Sequence, residues 1–184
     1  MNLPPNAALI LIDVQKGFDE AAFWGKRNNP DAESNMAKLL SAWRHAARPV
    51  IHVQHNSRNL AVPLHPSHQG NEIKDTVKPL PSEALVTKEV NSAFIGTDLE
   101  KRLREQKIAT LVIVGLTTDH CVSTTARMAG NLGFNTYVVS DATATFDRTG
   151  PDGQYFSADQ MHAAALASLH GEFATVITTK ELIS

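Results

Sequence analysis

Short, uninterrupted apolar runs rich in Val, Ile and Leu alternate along this chain with stretches whose apolar residues recur every three to four positions. The first pattern marks strands buried on both faces and the second marks the helices that cover them, so the alternation predicts an α/β protein with a mostly parallel sheet. Six strands are expected, near Ala7–Asp13, Val50–Gln54, Ala84–Thr87, Thr110–Val114, Thr136–Ser140 and Thr175–Thr178. Start signals place the helices between them. Asn29 before Pro30 reads as an N-cap with proline at the first helical position, and Met36, Leu39, Leu40 and Trp43 keep helical spacing toward Ala47. The capping-box patterns beginning at Thr97 and Ser157 predict helices over 98–106 and 158–170, the second ended by Gly171. A further helix is expected to start just before or at Cys121 and to stop at Gly133, with Val122, Ala126, Ala129 and Leu132 facing inward.

The chain's 184 residues suit one domain over 1–184. A formal net charge of -2 gives no case for nucleic acid or an anionic membrane, because binding to either depends on clustered Lys and Arg; a small soluble substrate is the expectation. The single cysteine excludes an internal disulfide and a Cys-rich zinc site, which suits the reducing cytoplasm and leaves the thiol free for chemistry. The apolar run from Ala7 to Ile12 is too short for a membrane span or a signal-peptide core. The polar, proline-bearing stretch from Asn56 to Ser82 is a long loop, expected to be a lid or a subunit contact.

Open α/β sheets bind ligands outside the carboxyl ends of their strands. Asp13 closes the first predicted strand, Lys88 follows the third, and Cys121 comes shortly after the fourth. Each alone has an ordinary reading: a loop cap, a solvated charge and a small buried hydrophobe. Together they bring a carboxylate, an ammonium and a thiol to one rim. A thiol at a helix N-terminus beside an ammonium is expected to have a lowered pKa. The turn from Gly115 to Cys121 can aim backbone N–H groups at a carbonyl oxygen, as an oxyanion hole requires.

At these residues the sequence resembles the isochorismatase-like superfamily of cysteine hydrolases. The resemblance rests on the segments 9–15, Lys88 with 91–97, and 114–122, with Ser140-Asp141-Ala142 and Glu172-Phe173-Ala174 following. It implies a three-layer, Rossmann-like sheet in the order 3-2-1-4-5-6, an Asp13, Lys88 and Cys121 triad, and a cis peptide between Leu116 and Thr117. It also implies an oxyanion hole from the backbone N–H groups of Thr117 and Cys121, and a homo-oligomer, dimer or tetramer. The activity implied is hydrolysis of a small amide, ureide or carbamoyl C–N bond through a thioester. Vinyl ether hydrolysis and a non-catalytic binding role on the same fold are the alternatives.

Nicotinamidases of the superfamily hold a metal through an Asp-x-His pattern after the second strand, where this chain reads His52-Val53-Gln54-His55. His52 and His55 are expected to face opposite ways on a strand, and His65 and His68 are expected to be solvated, so neither a metal nor another cofactor is predicted. His120 projects away from its neighbour Cys121 on a helix, which leaves Asp13 as the better base. Phe18, Trp24 and Phe94, with Gln15 and Asn91 as polar partners, are the expected substrate contacts. The turn after the first strand lacks the glycine fingerprint of a dinucleotide site, and a redox sensor at Cys121 has no resolving cysteine.

Overall fold

The computed structural model describes residues 3–183. One parallel sheet is built from β1 (Ala8–Ile12), β2 (Val50–His55), β3 (Ala84–Lys88), β4 (Thr110–Leu116), β5 (Asn135–Ala144) and β8 (Thr175–Ile177), in the spatial order β3-β2-β1-β4-β5-β8. Counting β8 as the sixth strand of that sheet, this is the expected 3-2-1-4-5-6. The remaining strands, β6 (Arg148–Thr149) and β7 (Tyr155–Phe156), make a two-stranded hairpin whose short, mostly polar sequence carries no apolar run to announce it.

Among the described residues the helices are α1 (Ala21–Trp24), α2 (Ala32–His45), α3 (Leu99–Glu105), α4 (Ser123–Asn131), α5 (Ala158–Leu169) and α6 (Thr179–Ile183). None is long and apolar enough to cross a membrane. Every residue of β1 and β4 is buried, and the period-two alternation of a strand divides them between two cores. Leu9, Leu11, Val112 and Val114 pack with Met36, Leu39, Leu40 and Trp43 of α2. Ile10, Ile12, Leu111 and Ile113 pack with Leu99 and Leu103 of α3 and with Ala126 and Ala129 of α4. Full burial of each such Leu or Ile contributes about 1.5–3 kcal/mol relative to exposure, which is why these strands read as continuous apolar runs.

Helix boundaries follow local hydrogen bonding. At α5 the capping box closes: Gln160 N–H donates to Ser157 Oγ (3.3 Å) and Ser157 N–H donates to Gln160 Oε1 (2.9 Å). At α3 only half of it forms: Thr97 Oγ1 accepts from Leu99 N–H (3.3 Å) while its hydroxyl donates to Ala93 O (2.6 Å), and Glu100 pairs with Arg104 instead of reaching back to the cap. The expected Asn29 cap is corrected as well. α2 begins at Ala32 behind Asp31, and Asn29 takes a left-handed conformation (φ 42°), its amide donating to the carbonyls of Ser140 (3.0 Å) and Thr143 (2.8 Å). The loop between β2 and β3 is tied down. Its Lys74 ammonium binds Asp19 Oδ1 (2.5 Å) and Glu33 Oε1 (2.7 Å), Leu64 and Val77 are buried, and Lys74 N–H donates to Val14 O (2.9 Å).

β4 passes close to β1 at the carboxyl-end rim of the sheet. Gly115 has φ 123°, and a β-carbon there would sit 2.0 Å from Ile12 O. Only glycine lets the end of β4 lie against the end of β1 in this way. Replacing Gly115 with Ala is expected to destabilise the protein by at least about 2–4 kcal/mol, through overpacking against backbone and a disallowed φ. A urea denaturation midpoint equal to that of the wild type would show that this close approach is not required.

Candidate active site

Three strands end on charged or polar groups that meet. Asp13 leaves β1 in a left-handed conformation (φ 50°), which a short polar side chain tolerates, and its N–H donates to Val53 O (2.9 Å). Lys88 is the last residue of β3 and His55 the last of β2, paired on the final rung of that ladder. Cys121 lies in the wide π-type turn Thr118–Val122 between β4 and α4, so the helical path begins before it, as expected.

The Lys88 ammonium is the hub. Its Nζ lies 2.7 Å from Asp13 Oδ2, 3.1 Å from His55 Nδ1 and 3.3 Å from Cys121 Sγ, and the Asp13 and Lys88 side chains have no solvent exposure. An ammonium carries three hydrogens and no acceptor, so each neighbour receives one bond. Asp13, His55 and Cys121 each offer a ligand-capable atom within 4.8 Å of the others, and a divalent cation entering there would have to displace the ammonium. On the far side of the sulfur the thiol reaches Asn91 Oδ1 at 3.8 Å.

Burial governs the protonation of these groups. Asp13 is pushed above the usual carboxylate range by desolvation, with Lys88 opposing, and its Oδ1 is buried with no hydrogen-bond partner. Cys121 is pushed up by burial and then by the Asp13 charge, against a smaller opposing pull from Lys88. This reverses the expected lowering of the thiol pKa: a helix terminus and one ammonium do not outweigh loss of water and a facing carboxylate. His55 is held below its ordinary value by burial and by Lys88, which keeps the ring neutral.

The turn that carries Cys121 is anchored from several sides. The Leu116–Thr117 peptide is cis, and Thr117 O accepts from His120 N–H and Val122 N–H, both at 3.2 Å. Asp119 accepts from Arg148 Nε (3.0 Å) and from the Thr145 hydroxyl, and Thr118 Oγ1 pairs with His162 Nδ1 (2.8 Å). His120 is exposed and faces Asp119 at 3.6 Å, away from the thiol chemistry.

The other residues singled out in the sequence divide into wall and rim. Gln15 is wholly buried; its amide donates to His55 O (3.0 Å) and Asn71 O (2.8 Å) and accepts from His55 N–H (2.8 Å), so it is committed to the wall. Phe18 is core, packed against Trp24 (4.9 Å between centroids) and Phe146 (6.1 Å). Trp24 is half-buried with Nε1 on Gly17 O (2.8 Å), and Phe94 stacks on Phe134 at 5.9 Å. Asn91 stays on the exposed rim. His52 turns to Glu83 (2.9 Å), and His65 and His68 bond within their own loop. His55 joins the cluster although the sequence marks it only as a strand histidine weighed for a metal; its signal is the polar end of a buried strand, the same one that marks Asp13 and Lys88. A 450 Å³ cleft touching Val50, Ile51 and Ala84 lies at the opposite ends of these strands, and a 360 Å³ cleft bordered by Lys88, Val90 and Ile95 lies at the end of β3 without including Asp13, His55 or Cys121 in its lining.

The chain is similar to known proteins over nearly its whole length. The uncharacterized isochorismatase family protein YrdC of Bacillus subtilis is 51% identical over 96% of this chain and 94% of its own length. Streptothricin hydrolase of Streptomyces noursei is 33% identical over 78% of this chain and 56% of its own length. Among solved structures, a putative hydrolase of the isochorismatase family from Chromobacterium violaceum superposes with a TM-score of 0.93 at 41% identity, covering 99% of this chain and 96% of that one. A cysteine hydrolase from Pseudomonas syringae pv. phaseolicola superposes with a TM-score of 0.89 at 27% identity, covering 100% of this chain and 93% of that one. The isochorismatase domain model matches residues 7–181, and with hydrolases among its relatives the chain belongs to the isochorismatase family.

Proposed function

We propose that this protein hydrolyses a C–N bond of a small amide, ureide or carbamoyl compound through a thioester on Cys121. The observation that carries this reading is the buried Lys88 ammonium bonded to both Asp13 (2.7 Å) and the Cys121 sulfur (3.3 Å), with the second Asp13 oxygen unpaired. A carboxylate raised by burial is a better base than an exposed one, and its free oxygen is available to a proton. Asp13 takes the thiol proton, and the sulfur attacks the substrate carbonyl carbon to form a C–S bond. The resulting oxyanion is held by the backbone N–H groups of Thr117 and Cys121. Collapse breaks the C–N bond as protonated Asp13 gives its proton to the leaving nitrogen. Water then adds to the thioester, Asp13 accepting its proton, and the thiol is restored as the acid departs.

The streptothricin hydrolase and cysteine hydrolase relatives support this class of chemistry, and the presence of the thiol favours it over vinyl ether cleavage, for which no nucleophile is needed. A panel of small amides, ureides, carbamoyl compounds and a vinyl ether, followed by intact mass, tests the reading. Turnover with an acyl adduct on Cys121 is the expected result. Turnover of the vinyl ether alone, without an adduct, would overturn it. Cys121→Ala should retain the wild-type circular dichroism and lose at least about 10⁴-fold in turnover, the order seen when a nucleophile is removed.

Asp13→Asn separates the base from the thiol's electrostatics. It removes a charge that holds the thiol up, so Cys121 should react faster with iodoacetamide, by roughly tenfold for each unit the thiol pKa falls. Turnover should nevertheless be lost. Because the chain has one cysteine, intact mass against time follows Cys121 alone, and retained turnover in this variant would exclude Asp13 as the base.

A further inference from the structure

We infer that His55 is a positioning residue for Lys88, supplying the one acceptor of the buried ammonium that keeps its charge state while Asp13 and Cys121 exchange a proton. This rests on the thiol chemistry proposed above. Lys88 Nζ can only donate, so His55 Nδ1, 3.1 Å away, must accept and the ring proton must sit on Nε2. The contact with the ammonium therefore selects the ring's tautomer.

The support behind His55 points the same way. Gln15 clamps its backbone from both sides, accepting from His55 N–H (2.8 Å) and donating to His55 O (3.0 Å), and Asn71 Nδ2 donates to the same carbonyl (3.0 Å). When Asp13 becomes a carboxylic acid and the sulfur a thiolate, both bonds to the ammonium change strength in opposite directions. The bond to His55 does not, and it keeps Nζ from following the migrating negative charge. Acid defeats this arrangement: a protonated His55 can no longer accept from Lys88 and faces it as a like charge. Asp13 and Glu89 are the negative groups that oppose that repulsion, and the Cys121 thiol is the remaining titratable neighbour.

Two measurements test the inference. In the wild-type protein at pH 7, ¹⁵N chemical shifts of the His55 ring should show an unprotonated Nδ1 and a protonated Nε2; a proton on Nδ1 overturns it without reference to any substrate. In His55→Leu, which has no acceptor, alkylation of Cys121 by iodoacetamide should slow at least about threefold and its pH midpoint should rise, because the ammonium no longer stays beside the sulfur. His55→Gln, whose amide oxygen can accept from Lys88, should recover most of that difference. A folded leucine variant with the wild-type alkylation profile, or a glutamine variant no better than leucine, rejects the positioning role. Failure of the wild type to form an acyl adduct with any panel compound would instead count against the hydrolase reading, leaving the tautomer and alkylation results to stand.

Discussion

A buried ammonium that has to be neutralised and fully hydrogen-bonded is the constraint around which the rim of this sheet is organised. An ion taken from water into a protein interior costs several kcal/mol unless partners replace the solvent, and removing one partner of such a pair costs about 3–5 kcal/mol. Lys88 meets this requirement with one carboxylate, one imidazole and one sulfur, each from a different segment. Bringing those segments together needs β1, β2 and β3 to end at the same level and the turn after β4 to fold back over them. The missing side chain at Gly115, the left-handed turn at Asp13 and the Gln15 clamp on His55 each serve that convergence.

The same burial gives the site its chemistry. Carboxylate, ammonium and thiol together carry no net charge, and neither do carboxylic acid, ammonium and thiolate. Moving the proton from Cys121 to Asp13 therefore relocates charge within the cluster without creating any, which is the kind of transfer a low-dielectric interior penalises least. Desolvation raises both groups that compete for the proton, and the ammonium stabilises whichever of them has lost it. A solvent-exposed version of the cluster would have a more acidic carboxyl group and a weaker base.

The parts of this design that follow from local pattern were legible in the sequence. Strands buried on both faces leave uninterrupted apolar runs; Asp13 and Lys88 stand at the polar ends of two, and Cys121 lies in the turn after a third. Ser157 and Gln160 cap α5 as their spacing predicts because neither has a competing partner. Glu100 and Asn29 carry equally good signals but are drawn to other groups: the carboxylate to Arg104, the amide to two carbonyls more than 100 residues away. Sequence spacing cannot see those competitors. The direction of the thiol shift failed for a related reason, since the depth at which Cys121 sits is a property of packing and not of its place on a helix. The extra length of β5 also escaped, because β4 and β5 lose and regain register between Ile113 and Gly115.

Saturation of the wall has a consequence for selectivity. A polar side chain whose donors and acceptors are all used inside the protein has nothing left with which to tell one ligand from another. Gln15 comes near that position, with both amide hydrogens donated and its oxygen accepting from His55 N–H, and Phe18 is closed off by Trp24 and Phe146. The residues that keep unused capacity are those the core does not need: Asn91, exposed and within 3.8 Å of the sulfur, and the exposed Val90 and Ile95 bordering the same rim. Rim positions such as these can change without disturbing the ammonium cage, because none of its three bonds runs through their side chains. In the proposed reaction, the buried cluster would set the reaction type and the exposed rim would be free to set the choice of substrate.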